Sequence, residues 1–382
     1  MAFPIPRTLF EPEHEQFRES LGRFLEAEVL PNLGRYEAQG FIDREVWRKG
    51  GAAGFLCPTM PEEYGGAGAD RRYSVVVFEE TARRGAVGLL GWSLHSDIVA
   101  PYLLHYGAEE VKRAWLPRMA TGEAIGAIAM TEPGAGSDLQ SIATRAVRDG
   151  DHYRLSGSKT FITNGWHCDL VVVAAKTDPA QGARGTSLFV VDTASPGFTK
   201  GRPLEKVGLK AQDTAELFMD DVRVPAANRL GEEGRGFACL MQELPWERLQ
   251  IAITAVALAE GVLEETIAYC RDRKAFGKPL LDFQNTRFAL AEAKTELQAA
   301  RVFVDRCIEL VLAGTLDAAT ASMAKYWCSD LQCKVIDACV QLHGGNGYMR
   351  EYAVARAWAD ARASRIYGGT NEIMKELISR SL

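Results

Sequence analysis

The chain has 382 residues, 47% hydrophobic and 25% charged, with a formal net charge of −6. That length allows two or three domains with sizeable cores. The acid excess argues against a nucleic-acid partner, which selects a basic face. Residues from about 11 to 120 read as helical. Within 13–29, Phe17, Leu21, Phe24 and Leu25 share one face, and Pro31 helps to end the run. Residues 73–84 and 89–106 carry the same signal, and Tyr64-Gly65-Gly66-Ala67-Gly68 is a loop.

The texture changes near Glu123. Segments 124–130, 143–148, 152–155, 160–163, 170–176 and 187–192 are short and often β-branched, with turn residues between them. They predict a small β-domain reaching about Pro225, followed by a linker at Gly231-Glu232-Glu233-Gly234-Arg235-Gly236. From Phe237 onward the chain is helical again, with Leu249, Ala252, Ile253, Val256, Leu263 and Ile267 on one stripe. Pro245 is expected close to the N-terminus of this helix, which puts Glu247 in its first turn. Helices follow at 285–312, from about 317 to before Gly344, at 353–363 and at 371–379, and the short loops between the long ones suggest an antiparallel bundle. The expectation is an α+β chain: a helical domain (1–123), a β-barrel-like domain (124–234) and a C-terminal four-helix bundle (235–382).

Eight cysteines include no Cys-x-x-Cys, so zinc and thioredoxin-like sites are not indicated. Cys328, Cys333 and Cys339 read as reduced core residues. The six histidines form no ligand-spaced cluster, so no metal is expected. Rossmann, Walker and Gly-x-Ser-x-Gly fingerprints are also absent.

Four segments carry candidate chemistry, each with a plain structural alternative. Thr131-Glu132-Pro133-Gly134-Ala135-Gly136-Ser137-Asp138 follows a strand; its glycines allow close backbone approach to a ligand, or it is an ordinary loop. Lys159-Thr160-Phe161-Ile162-Thr163-Asn164-Gly165 is a strand end with an aromatic and a hydroxyl available to a planar ring. Arg271-Asp272-Arg273-Lys274-Ala275-Phe276-Gly277-Lys278 is a solvated helix end or a pyrophosphate clamp. Gln341-Leu342-His343-Gly344-Gly345-Asn346-Gly347-Tyr348 ends a helix in a Gly-rich turn.

In this order, together with Gly126 to Asp138, Gly208 to Glu216, Glu243-Leu244-Pro245-Trp246-Glu247-Arg248-Leu249 and Ile366 to Leu377, these segments resemble the acyl-CoA dehydrogenases over essentially the whole chain, most closely the long-chain branch. The resemblance implies FAD and an acyl-CoA substrate, with α,β-dehydrogenation to a trans-2-enoyl-CoA. It implies FAD contacts from Ile128, Met130, Thr131, Gly136, Ser137, Phe161 and Thr163 of one subunit. Arg273, Phe276, Gln284, Gln341, Gly344 and Gly345 would serve a partner's FAD, and Thr370 and Glu372 would close over the flavin of their own site. A homotetramer (dimer of dimers) and electron-transfer flavoprotein as acceptor follow from the same family pattern.

Most of that family carries its catalytic Glu at the position filled here by Gly368; the long-chain and isovaleryl branches carry it on the earlier helix, which points to Glu247. The Gly368 N–H, with a flavin ribityl hydroxyl, would polarise the thioester carbonyl. A first-turn position lowers the pKa of Glu247 and burial raises it; burial on substrate binding is expected to win. Ser137, Trp246, Arg248, Gly368 and Gly369 are the substrate-side candidates. Trp246 either narrows the acyl cavity or packs away from it, and Arg248 either contacts CoA or holds the helix start. Dicarboxylyl- or branched-acyl substrates, enoyl-CoA reduction, oxidase activity and a non-catalytic scaffold are the competing readings. The first residues lack a basic region and apolar run, and no apolar run is long enough for a bilayer, so a cytoplasmic enzyme is expected.

Overall fold

The computed structural model describes residues 5–382; the part of the leader reading that rests on residues 1–4 lies outside them. The N-terminal region comprises α1 (Pro12–Phe24), α2 (Leu33–Gln39), α3 (Arg44–Ala52), α4 (Arg71–Arg83), α5 (Leu90–Leu94), α6 (Ala100–Tyr106) and α7 (Glu109–Ala120). The helix expected over 89–106 is one run whose middle, His95–Val99, widens into a π turn just before Pro101. A wide turn absorbs the hydrogen bond that proline cannot make.

The middle region holds β1 (Gly126–Ala129), β2 (Arg145–Asp149), β3 (His152–Thr163), β4 (Leu170–Lys176), β5 (Thr186–Asp192), β6 (Phe198–Lys200), β7 (Thr214–Pro225) and β8 (Arg229–Leu230). The strand order is β6-β7-β3-β2-β4-β5-β8, with β1 added parallel on β4. The strands expected separately at 152–155 and 160–163 are a single strand. Ser156-Gly157-Ser158, which reads as a break, forms one of two bulges against β7, the other lying between Lys159 and Ile162. Every residue of β4 is buried. Val171 and Val173 face Tyr153, Leu155 and Leu217 inside the folded-over sheet, and Val172 and Ala174 face Val99, Leu116 and Met119 of the helices. Asn164 fastens the two layers: its Nδ2 donates to Gly91 O at 2.9 Å and Gly126 O at 3.1 Å.

The C-terminal region is α8 (Gly236–Asp272), a small hairpin of β9 (Lys274–Ala275) and β10 (Lys278–Pro279), α9 (Gln284–Leu312), α10 (Ala318–His343), α11 (Ala353–Ala361) and α12 (Asn371–Ser379). Helix α8 does not begin at Pro245. It starts nine residues earlier and carries the proline inside. Phe237, Leu240, Met241 and Leu244 already show helical spacing. Cys239 and Leu240 pack on the β-region, whereas Trp246 and Leu249 enter the helical core. Burial at both ends of the segment outweighs the roughly 3 kcal/mol that an interior proline costs. Glu247 is therefore a mid-helix residue, and no helix terminus stabilises its charge.

Arg301 of α9 sits at the centre of a buried ion network. It donates to Glu79 of α4 at 2.7 Å and to both oxygens of Glu260 of α8 at 2.8 and 2.9 Å, while Arg7 bridges Glu79 and Asp305. All eight cysteines are free thiols, and only Cys333 is not fully buried. Among the described residues, no helix is long and apolar enough to cross a membrane, and no metal-ligand cluster occurs.

Candidate active site

Glu247, Gln250, Ile251 and Thr254 recur at i, i+3, i+4 and i+7 on α8 and line one cavity of about 180 Å³. Its other walls are Leu90 and Leu94 of α5, Ile98, then Ile128, Met130 and Thr163 from the strand ends, and Tyr367 and Gly368. Ser93, Leu209 and Gln212 complete the lining. Larger clefts of about 390 and 790 Å³ adjoin Glu37, but charged residues make up much of their lining and they collect none of the candidate residues.

Glu247 is 7% exposed. Burial pushes its carboxyl up to about 7; the Tyr102 hydrogen bond and Arg248 oppose that rise, and Glu243 adds to it. The Tyr102 hydroxyl donates to Glu247 Oε1 at 3.0 Å. Nothing in the sequence marked Tyr102, because which face of its helix meets α8 is a tertiary fact. Arg248 is buried with no ion-pair partner among the described residues, its Nε unsatisfied there, and it holds no helix start. Trp246 takes the second of its two readings. It does not line the cavity but packs on Phe78 at 5.8 Å, with Arg71 stacked over its ring at 4.5 Å.

Gly368 has φ +67° and Gly369 φ +87°, backbone that L side chains rarely adopt. Their loop is tied down by Lys325, whose Nζ donates to Gly369 O at 2.7 Å and to Asn371 Oδ1 at 2.9 Å. A lone cation within Met323-Ala324-Lys325-Tyr326-Trp327-Cys328 was a readable signal, since a buried lysine needs partners. Thr370 caps α12 through Ile373 N, and Glu372 is exposed in its first turn. Neither lines the cavity.

The loop after β1 is anchored by Glu132. It pairs with buried Lys159 at 2.8 Å and accepts from Ala143 N and Thr144 N. That leaves Gly136 and Ser137 exposed, with nothing within 4 Å of a Cβ built at Gly136. Phe161 adopts φ +58° and stands 69% exposed beside Thr163. An aromatic held out on strained backbone, beside an open loop and an apolar cavity, fits a planar cofactor. Arg273, Phe276, Gln284, Gln341, Gly344 and Gly345 lie elsewhere, exposed at the far end of the bundle. There the Tyr269 ring stacks on His343 at 4.1 Å. Asp272, ending the same helix as Glu247, is about 38 Å away along it at 1.5 Å per residue.

Three family profiles match consecutively: acyl-CoA dehydrogenase N-terminal domain over residues 11–123, middle domain over 127–222 and C-terminal domain over 234–382. The chain belongs to the acyl-CoA dehydrogenase family. It is an oxidoreductase acting on CH–CH groups, and the family is FAD-dependent. This acyl-CoA dehydrogenase is 53% identical to the long-chain specific acyl-CoA dehydrogenase, mitochondrial, of Sus scrofa, over 98% of this chain and 88% of that one. It superimposes on the crystal structure of acyl-CoA dehydrogenase from Geobacillus kaustophilus with a TM-score of 0.96 and 52% identity, covering 98% and 99% of the two chains. The caffeyl-CoA reductase-Etf complex subunit CarC of Acetobacterium woodii is 38% identical over 98% of this acyl-CoA dehydrogenase and 99% of that protein.

Proposed function

We propose that this acyl-CoA dehydrogenase oxidises medium- to long-chain acyl-CoA thioesters to trans-2-enoyl-CoA, with Glu247 taking the α-proton. The observation that carries the reading is a single buried carboxylate in a cavity whose other lining residues are uncharged. Those walls suit a saturated tail. A dicarboxylyl substrate would bring its second carboxylate among them with no cation to meet it. The similarity to a long-chain specific relative supports the same assignment.

Glu247 accepts a proton as the α C–H bond breaks, and the Gly368 N–H stabilises negative charge developing on the thioester oxygen. When bound, FAD supplies the acceptor for the β-hydrogen, which leaves with its electron pair as the C=C bond forms. Ile128, Met130, Thr131, Gly136, Ser137, Phe161 and Thr163 would hold that cofactor from this chain. The distance from Glu247 to the Arg273 and Gln341 group supports a role for that group in a neighbouring subunit's site, within a homotetramer. Electron-transfer flavoprotein is the proposed electron acceptor, a reading supported by a relative named as part of an Etf complex.

Substituting Glu247→Gln is expected to abolish turnover while bound FAD keeps the protein yellow. Near-normal turnover would assign the base elsewhere. Enoyl-CoA reduction is the second reading, motivated by the reductase relative. Comparing acyl-CoA oxidation with enoyl-CoA reduction by a reduced mediator discriminates the two.

A further inference from the structure

Helices α6 and α8 present two matched pairs, each one turn apart. Tyr102 donates to Glu247 Oε1 at 3.0 Å, and Tyr106 donates to Glu243 Oε1 at 2.9 Å. His105 Nδ1 lies 2.8 Å from that same Glu243 oxygen. The inner pair is buried, whereas the His105 side chain on the outer pair is 42% exposed. We infer that this two-rung ladder sets the aim and the ionisation of the base. Tyr102 is a positioning residue that favours the carboxylate, and Glu243 is an opposing charge. The inference rests on the reading of Glu247 as the base.

The geometry separates the two oxygens of Glu247. Oε1 is tethered by Tyr102, and Oε2 has no hydrogen bond among the described residues, so one oxygen fixes the group and the other is free to take a proton. A hydrogen bond donated to the charged form favours it, and a like charge nearby disfavours it. Tyr102 stays a donor across the working range, because burial and then Glu247 hold its hydroxyl well above its ordinary pKa. Burial raises the Glu243 carboxyl, but His105 and Tyr106 outweigh that and hold it low, so its negative charge persists.

The other charged and titratable groups around this ladder act less directly. Arg248 follows Glu247 on α8, its pKa lowered by burial against the pull of Glu247, with Lys325 of α10 beyond it. From α4, Arg71 faces Glu243 and Asp97. Asp97, in the π turn, is pushed up to about 7 by burial, against the pull of the Ser74 hydroxyl and then of the Arg71 charge. Tyr367 lies across the cavity, its hydroxyl held protonated by burial.

The test is the pH dependence of kcat/KM for the holoenzyme, using whichever of octanoyl- and palmitoyl-CoA the wild type turns over faster. Tyr102→Phe is expected to move the acid limb up by about one pH unit, the worth of a hydrogen bond to a charged group. Glu243→Gln is expected to move it down by roughly half a unit. Opposite shifts, with the bound-flavin spectrum unchanged, support the ladder; packing damage alone would not split them in sign. A limb that stays in place in both variants, or moves the same way in both, overturns it. Should Tyr102→Phe not accumulate as folded holoenzyme, the direction of the Glu243→Gln shift decides. An inactive Glu247→Gln with unmoved limbs defeats the ladder alone, whereas an active Glu247→Gln defeats the base assignment.

Discussion

Ile251 occupies the space that a side chain at residue 368 would need: a Cβ on Gly368 would sit 2.3 Å from Ile251 Cδ1. Ile251 is one turn beyond Glu247 on α8, so the helix that provides the carboxylate also fills the alternative position for it. Moving the base by Glu247→Gln with Gly368→Glu is therefore expected to recover little activity. Adding Ile251→Ala should improve recovery at least several-fold. Steady-state turnover of the double and triple variants checks this, and equal rates would mean that Ile251 swings aside unaided.

The pH profile follows from the burial of Glu247. The base must be ionised, and its carboxyl is pushed up from 4.5 to about 7. Activity is present above that value and is lost as pH falls through it. The acid limb of kcat/KM, which reports the free enzyme, should lie near 7 rather than near 4.5.

Lys325 reaches the reaction through the loop it holds. Lys325→Met is expected to lower kcat by tenfold or more with a smaller change in KM, because a misplaced N–H at Gly368 weakens transition-state stabilisation more than ground-state binding. Equal loss in both constants, or loss of flavin, would indicate general damage to the fold instead.

Arg301 is the test of the buried ion network. Arg301→Met removes one partner from two buried carboxylates, and about 3 kcal/mol of stability should go with it, the lower end of the usual range because Arg7 and Arg83 remain. Burial opposes ionisation of Glu79, but Arg7 and Arg301 outweigh it and hold its folded-state pKa below 4.5. The stabilisation from Glu79 is present above that pH and is lost as acid approaches the folded value. Denaturant unfolding at neutral and acidic pH should show the gap between wild type and variant shrinking in acid.

Trp246 provides a negative control for substrate choice. Its ring packs on Phe78 and under Arg71, away from the acyl cavity. Trp246→Leu should lower the melting temperature and leave the ranking of acyl chain lengths unchanged. A reordered chain-length profile would bring Trp246 back to the substrate.

Much of this was legible in the sequence for physical reasons. Strand β4 reads as an apolar run from Leu170 to Ala175 because both its faces are covered, and α12 is bounded by its capping Thr370. Pro245 misled because a proline inside a helix looks locally like a start, and only the cores gripping the helix on both sides of it settle the matter. Gly157 misled likewise, since a bulge and a break call for the same residue. Tyr102 and Lys325 act through contacts 145 and 44 residues away, and local spacing carries no record of such partners.

The cysteines have a practical corollary. Burial raises the thiols at Cys57, Cys168, Cys307, Cys328 and Cys339 toward 11 or 12, so in the closed fold almost no thiolate is offered to a reagent. Alkylation at neutral pH then waits on opening of each surrounding core. Cys168 lies in the connection between β3 and β4, packed in the core of the β-region, and Cys328 and Cys339 lie on α10. The order in which these thiols become labelled would read out which layer of the molecule loosens first.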